Sequence, residues 1–569
     1  MAQWSIVRPD SAPKPRRPRF FHDRGGNVAL LFAFLSVPML MLGGAAIDYG
    51  FATRLETKLQ AATDATALLL CQTPLATPQA DLNTLAVTTM TGAMGTANLV
   101  VDPLAITNNP RKITLTTHKL STTFFGALTG TKRINPGAVA QCATPLPKTF
   151  EIALVLDNTG SMAESSGGQS KLKAVQSAAA NFVDYVYTSA AFSSATKIAI
   201  VPFAGAVAVD PTAYRYASWI DLNGISSYHW TNIVQSPPAP FKSRFDVFAK
   251  LQAVNRAWGW AGCLETLSYP LNVQDGAPTA SNKDSYYVPL LAPDEPGDAS
   301  AQVAPFPVGS QNPTAYSYNS YLDDRTGGSC QNSNSYTTAL GQACKYVNPT
   351  DAVSASPLGI PNGPNFGCTT QPLQRLTNNT STLKTLISNM APLGSTNIHE
   401  GFMWGWRTLS PNSVFADGQP YASSTNSSNA STINKVIILM TDGTNSWSAN
   451  PYAPTGSLYF AAAYFKNANG TTPNPRMPPK YQNIADANTA RSALDALTAE
   501  ACSNAKAVNI SIYTIGFSIP SDPIDAAGQT LLKNCASSAD QYFLANTSDD
   551  LIKAFQTIQA SIGALRLTQ

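Results

Sequence analysis

The sequence predicts an α/β chain whose main domain has a doubly wound, mostly parallel sheet with a large irregular insert. Two apolar runs, 150–156 and 436–440, contain almost no polar residues, which is typical of strands buried on both faces of a parallel sheet. An amphipathic segment, 171–187, separates the first run from a further strand at 197–203, as a βαβ unit requires. A single transmembrane helix and a small α+β stalk domain are predicted to precede this domain.

The N-terminal region predicts a membrane anchor. Residues 1–27 contain six basic and two acidic side chains among several prolines, and we interpret them as a disordered, basic cytoplasmic tail. Residues 28–47 follow without a charge and are long enough to cross about 30 Å of hydrocarbon as a helix. The basic flank favours a cytoplasmic N-terminus, with the rest of the chain on the other side of the membrane. A cleaved signal peptide is the alternative, favoured by the small residues 43–46.

A helical pattern continues beyond the apolar run, from 48 to 70, and short alternating pieces with turn signals follow it. We interpret residues 48–145 as a helix that leaves the membrane, followed by the small stalk domain. The junction contains paired glycines, an Asp48-Tyr-Gly motif and a Gln-Ala-Ala-x-Asp-Ala stretch. In these features residues 24–68 resemble the N-terminal module of TadE/TadG-like proteins of Flp (tight adherence) pilus assembly.

The main domain is predicted to begin near residue 148 and to run to 569. A stretch from about 211 to 372 lacks sustained periodicity and is rich in Pro, Asn, Ser, Tyr and Trp, so we interpret it as an insert. The insert leaves after a strand and returns before Thr396, which predicts that it shapes the rim of that edge of the sheet. The later elements are predicted, in chain order, as a helix at 383–390, a strand at 436–440, a helix at 486–507, a strand at 508–517, a short strand at 541–544 and a helix at 549–565.

Oxygen-bearing side chains follow two of the predicted strands and open one predicted helix. The first three alternate along the turn after strand 150–156, the fourth opens the helical segment after the insert, and the fifth follows strand 436–440. In chain order they are Asp157, Thr159, Ser161, Thr396 and Asp442. Carboxyl ends of parallel strands meet at one edge of a sheet, and such oxygens are the ligands that hard divalent cations prefer. The sequence therefore predicts a cation site at this edge.

This ordered set resembles the metal-ion-dependent adhesion site of von Willebrand factor type A (vWA) domains, whose fold is Rossmann-like. The resemblance implies that the five side chains surround Mg²⁺, or another divalent cation such as Mn²⁺ or Ca²⁺, directly or through water. It also implies an open coordination position for a partner's carboxylate. Thr159 stands where the family more often has Ser, which keeps the oxygen. Stretches from Trp258, Asn319 and Gly401, and the C-terminal ALRLTQ, look like TadG-type pilus proteins that bear a vWA domain.

Composition and motifs disfavour other classes of function. The net charge is +3 and only 12% of residues are charged, which does not predict a nucleic-acid-binding surface. The chain has four histidines, which leaves few options for a histidine base or a zinc site. We interpret His399 as a polar residue at the start of a helix and not as a residue that contacts a ligand. A phosphotransferase with a nucleophilic strand-end Asp would need a second Asp where Thr159 stands. The sequence contains no nucleotide-binding P-loop motif after a strand, so we do not expect an enzyme.

All eight cysteines follow the apolar run, which suits disulfides in an oxidising compartment such as a bacterial periplasm. The two pairings that the element order favours most are Cys71 with Cys142 and Cys502 with Cys535. Among the middle four the spacing leaves the pairing open, with Cys330–Cys344 and Cys263–Cys368 preferred.

The expected function is a non-enzymatic component of tight-adherence pilus assembly. The resemblance implies a single-pass protein of the bacterial inner membrane, anchored by residues 28–47, with its N-terminus cytoplasmic and its bulk periplasmic or reaching the cell surface. Its partners would be proteins, either other pilus assembly components or a ligand with an acidic side chain, and not nucleic acid. The alternative is a surface-exposed or secreted vWA adhesin that acts directly in attachment and biofilm formation. A third possibility is a cation with a purely structural role.

Overall fold

The described residues form two units, one within 26–143 and one within 149–563. The structure is a computed structural model of the full chain. The ranges that it describes are 26–74, 77–108, 111–126, 130–143, 149–166, 168–189, 191–233, 241–296, 318–322, 335–351, 358–421, 433–451, 453–467 and 473–563.

One long helix dominates the first unit. Helix α1 runs without interruption from Gly26 to Cys71 and contains Pro38. The predicted continuation of the apolar helix beyond residue 47 is therefore confirmed. The side chains between Leu30 and Ile47 are largely exposed, and by length and composition this part of α1 can cross a membrane. Such a helix serves either as an anchor or as a signal sequence.

A second helix and a small antiparallel sheet pack against the later part of α1. Helix α2 spans Gln79–Met94. Strand β3 pairs with β6 along one edge and with β2 and β1 along successive parts of the other edge, while β4 and β5 form a short hairpin. A disulfide joins Cys71 to Cys142, as predicted. The strands of this unit are β1 Leu99–Val101, β2 Ala105–Thr107, β3 Lys112–Lys119, β4 Ser121–Thr122, β5 Arg133–Ile134 and β6 Gly137–Ala143.

The second unit is built on a six-stranded sheet that is mostly parallel, as predicted. The strand order is β11-β10-β7-β12-β13-β14, and only the edge strand β11 runs antiparallel to its neighbour. A separate two-residue hairpin, β8–β9, follows β7. The strands are β7 Phe150–Asp157, β8 Ser165–Ser166, β9 Gln169–Ser170, β10 Lys197–Phe203, β11 Gln374–Thr377, β12 Asn434–Thr441, β13 Ser511–Phe517 and β14 Tyr542–Ala545.

Helices cover both faces of this sheet. Ile152 and Leu154 of β7 point into the layer formed by α3, α6 and α10, whereas Ala153 and Val155 point into the layer formed by α7, α8 and α9. The predicted inward face of α3 is confirmed, since its apolar side chains are buried. The helices are α3 Lys171–Thr188, α4 Arg244–Val254, α5 Tyr336–Gly341, α6 Thr380–Asn389, α7 Ile398–Leu409, α8 Ala487–Ala507, α9 Ala526–Cys535 and α10 Ser548–Ile562.

The insert between β10 and β11 contains α4, α5 and several single turns, and it packs on the α7 side of the sheet. In place of regular elements it has aromatic packing, such as Trp219 against Trp404 at 6.4 Å, and a buried group in which Arg244 and Arg476 both pair with Glu265. Two more predicted disulfides are confirmed, Cys263–Cys368 and Cys502–Cys535. The predicted Cys330–Cys344 pair involves Cys330, which lies outside the described residues.

The strand order reverses direction next to β7. The chain first adds β10 along one edge of β7, and after the insert and β11 it adds β12 along the opposite edge of β7. The β7/β12 pair is therefore the point where the winding direction of the sheet reverses. In open α/β sheets, ligands bind at the carboxyl ends of strands at this point. Asp157 ends β7 and Asp442 directly follows β12, so both carboxylates belong to this position.

Candidate metal centre

The first loop of the site is shaped by Asp157 itself. The backbone N–H of Thr159 donates to Asp157 Oδ1 at 2.8 Å, which is the two-residue turn that Asp favours after a strand. A single helical turn, Gly160–Ala163, then follows. This turn brings the hydroxyls of Thr159 and Ser161 within 3.1 Å of each other.

Backbone hydrogen bonds hold three loops together at this edge of the sheet. Gly160 N–H donates to Gly394 O at 2.9 Å and therefore ties the Asp157 loop to the Thr396 loop. The Thr396 loop is tied in turn to the Asp442 loop, because Ser446 N–H donates to Thr396 O at 2.9 Å and Thr396 N–H donates to Ser446 Oγ at 3.1 Å. Residues almost 300 positions apart are thereby fixed at one place.

Four of the five side chains that the sequence singles out, Asp157, Thr159, Ser161 and Asp442, interact with one another, and the fifth, Thr396, lies beside the loop that contains Asp442. Ser161 Oγ donates to Asp442 Oδ1 at 2.8 Å. The hydroxyl of Thr396 faces the same loop and lies 3.8 Å from the point where a Cβ on Gly443 would stand. It has no hydrogen-bond partner among the described residues. All the carboxylates and hydroxyls of the set are buried or nearly so, with Ser161 the most accessible.

The site contains three further polar groups that the sequence does not predict, Thr441, Lys171 and Asp522. Thr441 Oγ1 donates to Asp157 Oδ2 at 2.6 Å. The ammonium group of Lys171, at the first position of α3, donates to Asp442 Oδ2 at 2.7 Å and to Asp522 Oδ2 at 2.6 Å. Lys171 and Asp442 are fully buried, whereas the Asp522 side chain is 43% exposed. Thr441 could have been suspected from its place next to Asp442, but nothing in the sequence marks Lys171.

The charges of the site do not balance. Burial and the nearby Asp442 carboxylate raise the pKa of Asp157 to about 7, and its hydrogen bonds from Thr159 and Thr441 only partly offset this. Burial also raises the pKa of Asp442, against the opposing effect of Lys171. For Lys171, burial lowers the pKa, but the carboxylates of Asp442 and Asp522 outweigh burial and raise it. Lys171 therefore offsets Asp442, while Asp157 is buried without a cationic partner among the described residues.

These residues fit a hard divalent cation. The donor set consists of carboxylate and hydroxyl oxygens, which suits Mg²⁺, Mn²⁺ or Ca²⁺ rather than a softer metal. An added positive charge would complete the pairing of Asp157, and the Thr396 hydroxyl is free to turn toward it. No group of three or more His, Cys, Asp or Glu side chains in the described ranges is arranged to hold a metal, so a cation at this site would depend on the hydroxyl oxygens as well as on the two carboxylates.

A cavity of about 240 Å³ adjoins the site. Gly160 and Gly394 of the two joined loops form part of its wall. Most of the remaining wall is apolar and comes from the insert and from the loop after β12, including Phe366, Trp447 and Phe460. The insert thus lies at the rim of the site. The side chain of an approaching molecule that enters this cavity would lie next to the oxygen cluster.

His399, which the sequence analysis considers, and two tryptophans of the same helix lie outside the site. His399 is fully buried in α7, and its Nε2–H donates to Asn272 O at 2.8 Å, so it does not face the oxygen cluster. Burial lowers the pKa of His399. Trp404 and Trp406 on the same helix are also buried and pack in the core on that side of the sheet.

Comparison with known families gives one match. Residues 26–69 match the family model described as Flp pilus-assembly TadE/G-like. The matched segment is almost the whole of α1. No curated protein matches the chain.

Comparison with solved structures gives distant matches. One is the vWF domain of the type V pilus tip protein Mfa5 from Porphyromonas gingivalis, with 12% identity and a TM-score of 0.31, covering 74% of this chain and 98% of that one. The minor pilin PilB from Streptococcus sanguinis has 12% identity and a TM-score of 0.30, covering 82% and 77%. A von Willebrand factor type A protein from Catenulispora acidiphila has 9% identity and a TM-score of 0.25, covering 82% and 50%. The N-terminal helix of this chain is therefore similar to TadE/G-like proteins of Flp pilus assembly, and the family match covers that helix alone.

Proposed function

We propose that this chain is a membrane-anchored, non-enzymatic component of tight-adherence pilus assembly whose second unit is a vWA domain that binds protein partners through a divalent cation. The family match of α1 supports the pilus role. The convergence of the five predicted oxygen donors at the β7/β12 switch point supports the cation site, and this single observation carries the proposal.

The carboxylates and the hydroxyls of the site would contribute differently to cation binding. Asp157 and Asp442 would supply negative charge, and Thr159, Ser161 and Thr396 would supply neutral oxygens. Bound Mg²⁺ would act as a Lewis acid that attracts a further oxygen ligand. In the buried part of the site Lys171 offsets Asp442, and its second partner, Asp522, is 43% exposed and screened by water. The cation would therefore keep a net positive charge among the buried groups. A carboxylate from a partner is the ligand that this charge favours.

The partner is expected to be a protein that presents an acidic side chain beside an apolar one. The acidic group would approach the oxygen cluster, and the apolar group would enter the adjoining cavity, whose wall includes Phe366 and Trp447. Burying one apolar side chain there would contribute about 1.5 to 3 kcal/mol. Together the two contacts would select partners by chemistry and by shape.

Calorimetric titration of Mg²⁺ into the full-length protein in lipid nanodiscs tests the site. We expect binding to the wild type and a loss of at least about tenfold in affinity for Asp157→Asn. The matched control is Asp294→Asn, because Asp294 is another buried aspartate, paired with Lys345 in the insert. Unchanged Mg²⁺ affinity in Asp157→Asn, or an equal loss in both variants, would refute the proposal.

Cell fractionation tests the assembly role against the adhesin role. A full-length protein in the inner membrane is expected for an assembly component, whereas a truncated extracellular form is expected for an adhesin. Crosslinking in intact cells, with and without a chelator, would then identify the captured proteins. Capture of pilus assembly proteins only when the cation is present is the expected result. A chelator that lowers the melting temperature without altering any capture would instead show a structural cation.

A further inference from the structure

The apolar part of α1 is covered at one place by a loop of the first unit. Between residues 41 and 50 only two positions are buried, Gly44 and Asp48. They are four residues apart and so lie on the same face of the helix. The loop that covers them, residues 123–126, connects β4 toward β5. All other side chains in this stretch of α1 are exposed.

Asp48 holds this loop through backbone hydrogen bonds. Its Oδ1 accepts from Phe124 N–H at 2.8 Å, and its Oδ2 accepts from Phe125 N–H at 2.8 Å and from Gly126 N–H at 2.7 Å. These bonds explain why a carboxylate can directly follow a charge-free run of twenty residues. They also fix the loop against the end of that run.

Gly44 allows the loop to come close. A Cβ on Gly44 would lie 2.6 Å from Cβ and Cγ of Phe125, a distance that no real side chain tolerates. The preceding glycine, Gly43, has no atom within 4 Å of the same position. Phe125 therefore packs directly on the helix backbone one turn inside the apolar run. The sequence contains both glycines, but only one of them is needed for this contact.

The outer surface of the loop is aromatic and basic. Phe124 is 74% exposed although its ring lies 5.9 Å from that of Phe51 on α1. Tyr49, next to Asp48, is 73% exposed. Lys132 and Arg133, at the other side of the hairpin, are also exposed. Exposed aromatic rings beside basic side chains are characteristic of the boundary between a bilayer and water.

We propose that the 123–126 loop is a membrane-interface anchor, which seats Phe124 and Phe125 among the lipid headgroups of the leaflet from which α1 emerges. The position of the loop along α1 supports lipid as the occupant. Leu30 to Ile47 covers about 27 Å of helix, close to the hydrocarbon thickness of a bilayer, so Asp48 falls at its boundary. The loop is thus continuous with the surface of α1 that faces lipid.

The anchor would set the depth and rotation of α1 in the membrane. A single helix is free to slide and to turn about its axis, whereas a second contact on one face removes this freedom. Lys132 and Arg133 would add attraction to anionic headgroups. This inference is independent of the cation site, because it depends only on residues of the first unit.

Depth-dependent fluorescence quenching of the full-length protein tests the proposal. The probe is an environment-sensitive dye on Phe124→Cys, in nanodiscs of phosphatidylethanolamine and phosphatidylglycerol that contain lipids spin-labelled near the glycerol backbone. The described cysteines are all in disulfides, so the dye is directed to the new thiol. The reference is the same dye on Leu69→Cys. Leu69 is exposed and lies about 32 Å beyond Asp48 along the axis of α1. We expect about threefold stronger quenching at position 124.

A pair of glycine variants links the quenching to the contact with α1. In the Phe124→Cys background, Gly44→Ala should displace the loop and reduce the quenching toward the reference, whereas Gly43→Ala should leave it unchanged. Equal quenching at positions 124 and 69 would overturn the proposal, as would an unchanged signal in Gly44→Ala. A dye at 124 that is shielded from both lipid quencher and aqueous iodide would indicate a protein occupant and would also overturn it.

Discussion

At the scale of a single residue, removal of the Thr396 hydroxyl is expected to weaken cation binding without weakening the fold. The hydroxyl lies beside the oxygen cluster but has no hydrogen-bond partner among the described residues, so removing it breaks no contact of the cation-free protein. We predict that Thr396→Val weakens Mg²⁺ binding by about tenfold, or about 1.4 kcal/mol. With a chelator present, the free energy of unfolding should stay within about 0.5 kcal/mol of the wild type. Calorimetry and urea unfolding measure the two quantities.

A second threonine in the same loop region serves as the control. Thr369 Oγ1 donates to Leu393 O at 2.8 Å and does not belong to the oxygen cluster. Thr369→Val should therefore lose about 1 kcal/mol of stability and keep its Mg²⁺ affinity. If Thr396→Val behaved like Thr369→Val, the hydroxyl of Thr396 would be structural and not a ligand.

His229 makes the stability of the second unit depend on pH. Its Nδ1–H donates to Asp221 Oδ2 at 2.7 Å, and its Nε2 accepts from Arg244 N–H at 2.9 Å, so the buried ring must be neutral. Burial lowers the pKa of His229 below its usual value near 6.5, and the Arg244 charge acts in the same direction. The unfolded chain therefore binds more protons in acid. We predict that stability is complete above about pH 6.5 and falls below it.

Unfolding of wild type and His229→Gln at several pH values measures this contribution. The variant should be less stable than the wild type at pH 7.5, and the difference should shrink toward pH 5, by at most about 1.4 kcal/mol per pH unit. The buried His399 adds a similar dependence to both proteins and cancels in the comparison. A difference that stays constant over this range would show that His229 does not titrate on unfolding.

The sequence predicts some residues of the site and not others for a physical reason. Asp157 and Asp442 stand beside long apolar runs, and the position of such a run in a parallel sheet fixes where its end lies. Lys171 gives no such signal, because a lysine at the start of a helix is usually exposed. Its burial depends on Asp442, 271 positions later in the chain. Only the assembled loops place that carboxylate over the first turn of α3.

At the scale of elements, the start of α3 is coupled to the cation site. Lys171 and Asp442 are both fully buried, so removing the ammonium group leaves a buried carboxylate without its partner. We predict that Lys171→Met costs about 3 to 5 kcal/mol of stability when the cation is absent. Saturating Mg²⁺ should restore part of this loss and raise the melting temperature more in the variant than in the wild type. Thermal unfolding with and without Mg²⁺ measures both effects.

The insert offers a matched element for this experiment. Lys345 pairs with the buried Asp294 at 3.0 Å, far along the chain from the oxygen cluster. Lys345→Met should lose a similar amount of stability, and Mg²⁺ should not restore it. Equal responses of the two variants to Mg²⁺ would mean that Lys171 is not coupled to a bound cation.

The elements differ in how well the sequence predicts them. Strands β7 and β12 are predicted from their continuous apolar runs, and helix α3 is predicted because its apolar residues repeat at the helical period. The edge strand β11 has only four half-buried residues and no apolar run, so its antiparallel pairing with β10 could not be predicted. The insert is held by contacts such as Arg244 with Glu265, which pair residues by position in space and leave no periodic pattern.

At the scale of the whole molecule, the chain forms two compact units, each with its own apolar core. The first unit has its own apolar core and the Cys71–Cys142 disulfide. The second has an apolar core on each face of its sheet, and both of its described disulfides begin and end within it. The sequence anticipates this division, because a helical and alternating segment gives way near residue 148 to long buried strands.

We therefore predict that a chain of residues 149–569, made without α1 and the stalk, folds and binds Mg²⁺ by itself. The reason is that all five proposed ligands, together with Lys171 and Thr441, lie in the second unit. Oxidised protein should unfold in one cooperative transition, and its Mg²⁺ affinity should agree with that of the full-length chain within about threefold, or about 0.6 kcal/mol. Calorimetry on both chains gives the comparison. A shortened chain that folds but has lost Mg²⁺ affinity would show that the first unit contributes to the site.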